Sequence, residues 1–222
     1  MISDTDNFCI RYFNKSALVV TTYAGRCGVT GRELGHRLQA RFGLPMGLAI
    51  TDRYLYIIDS DHHSIVKLDM NTGTVSEYMS SLKPRPYFIA DITSNLVTTD
   101  VGVLDLSTKR ILPYFRVNGE FHDIIRLGRV KYLVADKIGN RLYFINTDKQ
   151  MIDYICQGSE GPSKPGSDRS CVISQPVSLL LVGDTVYAGG KATIMKFTIG
   201  GHQSETTATV TTVQGSEIPT GR

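Results

Sequence analysis

A short polar cluster near residue 60 contains the residue types that bind metals. It reads D-S-D-H-H and comprises Asp59, Asp61, His62 and His63. Imidazole nitrogens and carboxylate oxygens together suit zinc or copper. The cluster lies between two apolar runs, however, in a segment typical of a hairpin turn. Adjacent side chains there point in different directions, so a solvated turn is the favoured interpretation and a ligand site is the alternative.

Asp59 has counterparts further along the chain. Asp100 and Asp136 also end a short apolar run. One hypothesis is a ring of carboxylates that binds a metal or another cation. The favoured hypothesis is structural, because an aspartate at a strand end accepts hydrogen bonds from the backbone of the following turn.

Few other residues indicate chemistry. Arg85, with Lys83 and Arg116, is a candidate for a positive binding patch, although charges near turns are more often simply solvated. The chain contains no G-x-S-x-G, no P-loop and no H-E-x-x-H motif. Catalysis is therefore not indicated by any short motif.

The four cysteines fall into two pairs that are close in sequence. We expect Cys156 to pair with Cys171 across an insert rich in Gly and Pro, and Cys9 to pair with Cys27. Four free thiols in a reducing cytosol are the alternative. The sequon Asn14-Lys15-Ser16 lies in an expected turn and fits a secreted protein.

The elements that position these residues are short strands. Residues 45–81 alone contain four apolar runs separated by turn clusters, which predicts one antiparallel sheet. An apolar, two-residue, apolar, polar submotif begins at five positions, in steps of 55, 38, 39 and 52 residues. These positions are Ile10, Ile65, Val103, Leu142 and Ile194. A period near 40 with several strands per unit is typical of propeller blades.

We therefore predict an all-β fold, a β-propeller of four-stranded antiparallel blades, over residues 1–222 as a single domain. The count is about four and a half blades, and a β-sandwich is the competing architecture. The blade-like units are a partial one at 8–25 and complete ones at 45–81, 86–117, 121–157 and 175–213. The first unit lacks inner strands, so we expect either self-association or an upstream segment that completes the ring.

Composition limits the classes of partner. Net charge is +3 with both signs mixed, and no apolar run is long enough for a membrane helix. We expect neither nucleic-acid binding nor membrane insertion. The first residues lack the pattern of a signal peptide. The first expected strand begins almost at once, at Phe8, which predicts that the sequence starts inside a longer protein.

The repeat resembles the NHL-repeat family of β-propellers. The family pattern A-R-F-x-x-P-x-G-L-A appears at residues 40–49 as A-R-F-G-L-P-M-G-L-A. The family then has L-Y-V-A-D-x-x-N-H-x-I, a basic residue, an apolar residue and Asp, and residues 55–69 read L-Y-I-I-D-S-D-H-H-S-I-V-K-L-D. The later units keep less of this pattern. His62 and His63 stand where the family has Asn-His, which again favours a hairpin turn.

The resemblance implies a binding scaffold and one alternative. Amidating lyases, which are NHL-like, place zinc ligands on innermost strands, and His122 is assigned to such a position, in line with Pro45, Pro86 and Pro176. A metal-dependent lyase or hydrolase with zinc or calcium in the central channel is therefore the alternative. The favoured function is protein or glycan binding without catalysis or cofactor, in an extracellular protein or ectodomain, with a cytoplasmic scaffold as the second location.

Overall fold

The computed structural model describes residues 1–89, 95–99, 102–112, 119–156, 171–191, 193–199 and 208–213. Within these ranges the regular structure is β-strand, apart from one 3-10 helical turn at Thr5–Asn7. The strands form five antiparallel sheets, each corresponding to one propeller blade. The predicted all-β propeller fold is confirmed. No helix in the described ranges has the length and apolar character needed to cross a bilayer.

The chain divides into two compact units, Met1–Phe115 and Arg116–Arg222. The first unit contains three sheets. Blade 1 is β1 (Ile2–Asp4), β2 (Cys9–Asn14) and β3 (Val19–Ala24); blade 2 is β4 (Gly35–His36), β5 (Pro45–Ile50), β6 (Tyr54–Asp59), β7 (Ser64–Asp69) and β8 (Thr74–Met79); blade 3 is β9 (Pro86–Ile89), β10 (Leu96–Thr99), β11 (Val103–Asp105) and β12 (Arg110–Ile111).

The second unit contains two four-stranded sheets. Blade 4 is β13 (Phe121–Arg126), β14 (Lys131–Asp136), β15 (Arg141–Asn146) and β16 (Met151–Ile155); blade 5 is β17 (Ser178–Val182), β18 (Thr185–Gly190), β19 (Thr193–Ile199) and β20 (Ala208–Val213). In both blades the strands pair in sequence order from inside to outside, as expected for consecutive hairpins.

Blade 1 differs from the prediction because it has an inner strand. β1 pairs with β2 through Ile2↔Arg11 and Ser3↔Ile10, so the first unit is three-stranded rather than a bare hairpin. The Thr5 hydroxyl of the following helical turn donates to the Pro45 carbonyl oxygen at 2.9 Å, next to the inner strand of blade 2. The prediction that the first two strands lack an inner partner is therefore wrong. That prediction was the reason for expecting self-association or an upstream segment.

Blade 2 carries a fifth strand that the repeat does not predict. The two-residue strand β4 pairs with the outer strand β8 through Gly35↔Val75 and His36↔Thr74. It is formed by the insert that precedes β5. The insert therefore extends the sheet by one strand.

The cores lie between blades because the middle strands are buried on both faces. In blade 2, Ile57 belongs to a cluster shared with blade 1, whereas Ile58 and Ile65 belong to a cluster shared with blade 3. In the second unit, Leu133 and Leu142 of blade 4 belong to one cluster with Val186 and Phe197 of blade 5. This packing explains why the inner runs are apolar without strict alternation.

Candidate functional site

Asp59 ends β6 and is almost completely buried, with 2% of its surface exposed. Its carboxylate accepts hydrogen bonds from the backbone N–H of Gly43 at 2.9 Å and of Leu44 at 3.0 Å. Both N–H groups belong to the loop that precedes β5. From the turn after β6, the Asp59 carboxylate is contacted by the His62 side chain. Asp59 therefore holds the backbone of the loop that leads into the inner strand β5. We had predicted hydrogen bonds from the backbone of the turn that follows Asp59.

The structure joins His62 to Asp59. The His62 Nδ1 lies 2.8 Å from the Asp59 Oδ2, and because a carboxylate only accepts, Nδ1 carries the proton. Nε2 is then an acceptor in the neutral ring, and the His62 side chain is one quarter exposed. A buried carboxylate thus orients a partly exposed imidazole, which is how proteins present a hydrogen-bonding or metal-ligating nitrogen.

His63 does not join this pair. It has a left-handed backbone, with φ of 49°, and its Nδ1 donates to the Leu82 carbonyl oxygen at 3.0 Å. The two histidines therefore point to different partners, as the turn interpretation predicted. Ser60, which follows Asp59 in the sequence, is buried and donates to the Pro86 carbonyl oxygen, so it is not available as a nucleophile.

Arg85 completes a polar cluster at this end of blade 2. Its guanidinium donates to the Asp61 carboxylate and, through Nε, to the Ser60 carbonyl oxygen at 3.2 Å. It is therefore paired rather than part of a simple positive patch with Lys83; Arg116 lies outside the described residues. We call Asp59, Asp61, His62 and Arg85 the blade 2 cluster.

Asp136 occupies the position in blade 4 that Asp59 occupies in blade 2. It is fully buried and accepts from the backbone N–H of Glu120 at 3.1 Å and of Gly139 at 2.9 Å. Gly139 stands three residues after Asp136, where blade 2 has His62, and no imidazole reaches the carboxylate. Burial raises the pKa of Asp136, against the lowering effect of these N–H groups. Asp100, the third predicted member, lies outside the described residues.

His122 is displaced by one residue from its predicted register. Phe121, not His122, lies opposite Asp136 as Pro45 lies opposite Asp59, because the hairpin loop between β13 and β14 is one residue longer than the loop between β5 and β6. The assignment of His122 to the proline position is therefore wrong. Its Nε2 donates to the Glu120 Oε1 at 2.6 Å.

Glu120 lies between the side chains of His122 and Lys137. Its Oε1 also accepts from the Lys137 Nζ at 3.1 Å. The hydrogen bond from His122, reinforced by Lys137, lowers the pKa of Glu120. His122 thus belongs to a partly exposed polar trio. The described residues hold no group of three or more His, Cys, Asp or Glu side chains arranged for a metal ion.

Sequence reasoning missed Asp123, an aspartate inside the apolar inner strand β13. Its Oδ2 accepts from the Leu179 N–H of β17 at 2.8 Å, and its Oδ1 accepts from the Ile124 N–H. In blade 2 the equivalent residue is Gly47, where an added Cβ would lie 2.7 Å from the Phe88 Cα of β9. Blades 2 and 3 therefore touch backbone to backbone, whereas blades 4 and 5 are bridged by a carboxylate. The sequence signal that could have identified Asp123 is an acidic residue within the apolar run of an inner strand.

We predict that Asp123 makes stability depend on pH. Burial raises the pKa of Asp123 to about 6. The folded chain therefore binds a proton near pH 6 that the unfolded chain, with its ordinary lower pKa, binds only near pH 4. The free energy of unfolding should then rise as pH falls from 7 to 5, by roughly 1 kcal/mol from this group.

The measurement compares melting temperatures of wild type and Asp123→Asn between pH 5 and 8. The variant carries no charge, so it should melt above wild type at pH 8, and the difference should shrink towards pH 5. Asp184→Asn, at an exposed turn, is the matched control and should follow wild type at every pH. A difference between wild type and Asp123→Asn that does not vary with pH would contradict the assignment.

Both predicted disulfides are present. Cys9 and Cys27 are joined with a Cα separation of 5.1 Å, and Cys156 and Cys171 with 4.5 Å. The Cys27 segment folds back beside β2, as the pairing required. Two disulfides are typical of a chain in an oxidising, non-reducing setting.

Comparison with known proteins identifies the fold but no family. No protein-family model and no curated protein matches the chain. An auxiliary nutrient binding protein from Bacteroides thetaiotaomicron is similar, with a TM-score of 0.59 and 12% identity over 91% of this chain and 54% of that one. The β-propeller domain of Cps50 (Swd1) from Myceliophteria thermophila gives 0.53 and 12%, over 87% of this chain and 66% of that one. This chain thus spans about half the length of the nutrient binding protein.

Virginiamycin B lyase from Staphylococcus aureus is also similar, with a TM-score of 0.51 and 13% identity, over 86% of this chain and 75% of that one. Identities this low show the fold alone. The similar structures have diverse functions, including nutrient binding and lyase activity, and therefore do not choose between a scaffold and an enzyme.

Proposed function

We propose that this chain is an extracellular binding module of the NHL-type propeller class, which contacts a protein or glycan partner through the blade 2 cluster. The observation that carries the proposal is the Asp59–His62 hydrogen bond, 2.8 Å long, beside the Arg85–Asp61 ion pair. It combines an oriented imidazole with a guanidinium and a carboxylate at one partly exposed blade end.

The chemistry of the cluster suits hydroxyl and amide groups. In the neutral ring, the Nε2 of His62 accepts a hydrogen bond from a ligand hydroxyl. Arg85 donates and Asp61 accepts, and both side chains are partly exposed, at 32% and 49%. Because Asp59 holds the ring, little side-chain entropy is lost on binding. Sugar hydroxyls and polar protein side chains both offer this pattern of donors and acceptors.

Two variants test the cluster. In His62→Asn the side-chain amide replaces Nδ1 as the donor to Asp59 while Nε2 is deleted, and Arg85→Ala removes the guanidinium. Arg53→Ala is the matched control, since it breaks the exposed Arg53–Asp69 pair elsewhere in the same blade. Each secreted protein is tetramerised and applied to a glycan array and to an array of recombinant extracellular proteins.

We expect wild type and Arg53→Ala to bind the same ligand, and both cluster variants to bind it at least about tenfold more weakly, the loss of one good hydrogen bond. Binding on the glycan array would identify the partner as a glycan, and binding on the protein array would identify it as a protein. Unchanged binding by both cluster variants, at melting temperatures close to wild type, would refute the proposed surface. An equal loss in Arg53→Ala would do the same.

A further inference from the structure

The chain contains one N-x-S/T sequon, Asn14-Lys15-Ser16. This motif is the acceptor for N-linked glycans in proteins that pass through the secretory pathway. A motif this short occurs by chance in many proteins. Its placement in the fold therefore decides whether it is a site.

Asn14 lies where a glycan has room. It is the last residue of β2, and every residue from 12 to 20, the hairpin between β2 and β3, is exposed. Its side-chain Oδ1 accepts the backbone N–H of Ser16 at 3.0 Å and of Ala17 at 3.1 Å. The amide oxygen thus faces the turn, and within the described chain no group bonds to Nδ2, the atom that carries the sugar.

The surface around Asn14 is apolar. Val19 lies opposite Asn14 in the strand pairing, and Tyr12 lies two residues earlier on the same face. Tyr12 is 42% exposed, Val19 49%, and Leu18 at the turn 77%. An aromatic ring beside an aliphatic side chain suits the C–H face of a pyranose.

We propose that Asn14 is an N-glycosylation site, and that the first sugar packs on Tyr12 and Val19. The donor is an oligosaccharide activated on a lipid diphosphate. The Asn14 Nδ2 forms a bond to the anomeric carbon, and the bond from that carbon to the diphosphate oxygen breaks with its electron pair staying on that oxygen. The proton that Nδ2 loses passes to solvent. The lipid diphosphate leaves. This inference rests on the extracellular route in the proposed function, but not on the blade 2 cluster.

Equivalent turns of other blades provide the comparison. Asp69 in blade 2 accepts the N–H of Asn71 and of Thr72, the same two-bond pattern as at Asn14. In blade 4 the residue is Asn146, whose Oδ1 accepts the Lys149 N–H at 3.1 Å. Asn146 is followed by Thr147-Asp148 and is not a sequon, so Asp148→Thr creates one at the same kind of turn.

The experiment expresses the full chain behind an added secretion leader in a eukaryotic host. We expect intact mass to show one oligosaccharide per chain, removable by peptide N-glycosidase. It should be lost in Asn14→Gln and Ser16→Ala, and kept in Ser16→Thr. Asp148→Thr should carry a second glycan and serves as the control for turn accessibility. A secreted wild-type chain with a bare Asn14 overturns the site, whether or not Asp148→Thr is modified.

A second measurement tests the packing on Tyr12. Enzymatic removal of the glycan should lower the melting temperature of wild type by a few degrees, and that of Tyr12→Ser by much less. Equal shifts in both proteins would overturn the packing. Asn14→Gln should still bind the ligand that the blade 2 cluster recognises. The glycosylation proposal and the ligand-binding proposal can therefore be confirmed or refuted independently.

Discussion

Replacing Ile65 by Asp should unfold the protein. Ile65 is fully buried in the cluster between blades 2 and 3, where it pairs with Ile58 across the sheet. A carboxylate there has no cationic partner in the cluster and costs several kcal/mol even if it takes up a proton. That is comparable with the whole stability of many domains.

The expected readout is loss of the cooperative thermal transition and of soluble protein. Leu48→Asp should act similarly but more weakly, because Leu48 is partly buried against the cluster between blades 1 and 2. Lys67→Ala is the control in the same strand as Ile65. Its ammonium lies 4.8 Å from the centre of the Tyr54 ring, a contact that contributes less than about 1 kcal/mol. Equal melting temperatures for the three variants would show that the blade register is wrong.

Removal of the Cys156–Cys171 disulfide should produce the second large effect. Both cysteines are fully buried in the cluster of the second unit, against residues such as Leu133 and Ile173. Closing a loop of this length in the unfolded chain stabilises the fold by about 3 kcal/mol in the chain-entropy model, whose mechanism is disputed. The double variant Cys156→Ala with Cys171→Ala also loses the packed sulfur atoms.

Denaturant unfolding of the oxidised proteins measures this effect. The Cys9–Cys27 pair provides the comparison, since its sequence separation of 18 is close to 15. Cys27 is exposed and Cys9 is fully buried, so the double alanine variant of that pair should lose the loop term and the packing of one sulfur atom instead of two. We expect the larger loss for the 156–171 pair. An unfolding midpoint equal to wild type for that variant would refute the prediction.

The blades could be predicted because each repeats the same apolar submotif, and the disulfides because each pair closes a short segment. β1 could not be predicted, since three residues at Ile2–Asp4 carry no periodicity. Its pairing depends on β2 and on the neighbouring inner strand, which are tertiary contacts.

The site was predictable residue by residue but not in its connections. The sequence placed Asp59 at a strand end and His62 in the following turn. Their hydrogen bond could not be predicted, because it depends on how the turn folds His62 back towards Asp59. The one-residue error at His122 came from the loop between β13 and β14, which has one residue more than the loop between β5 and β6, a difference that a repeat alignment with fixed spacing does not contain. Asp123 was missed because its partner, Leu179, is 56 residues away.

The short strand β4 has a consequence for how this protein avoids aggregation. The outer strand of a blade is a free edge that can pair with a strand of another molecule. On β8 that edge is occupied by Gly35 and His36, and Arg32 of the same insert forms an ion pair with Glu77. The insert therefore protects the end of the β8 edge at Thr74 and Val75 from strand addition by a second chain.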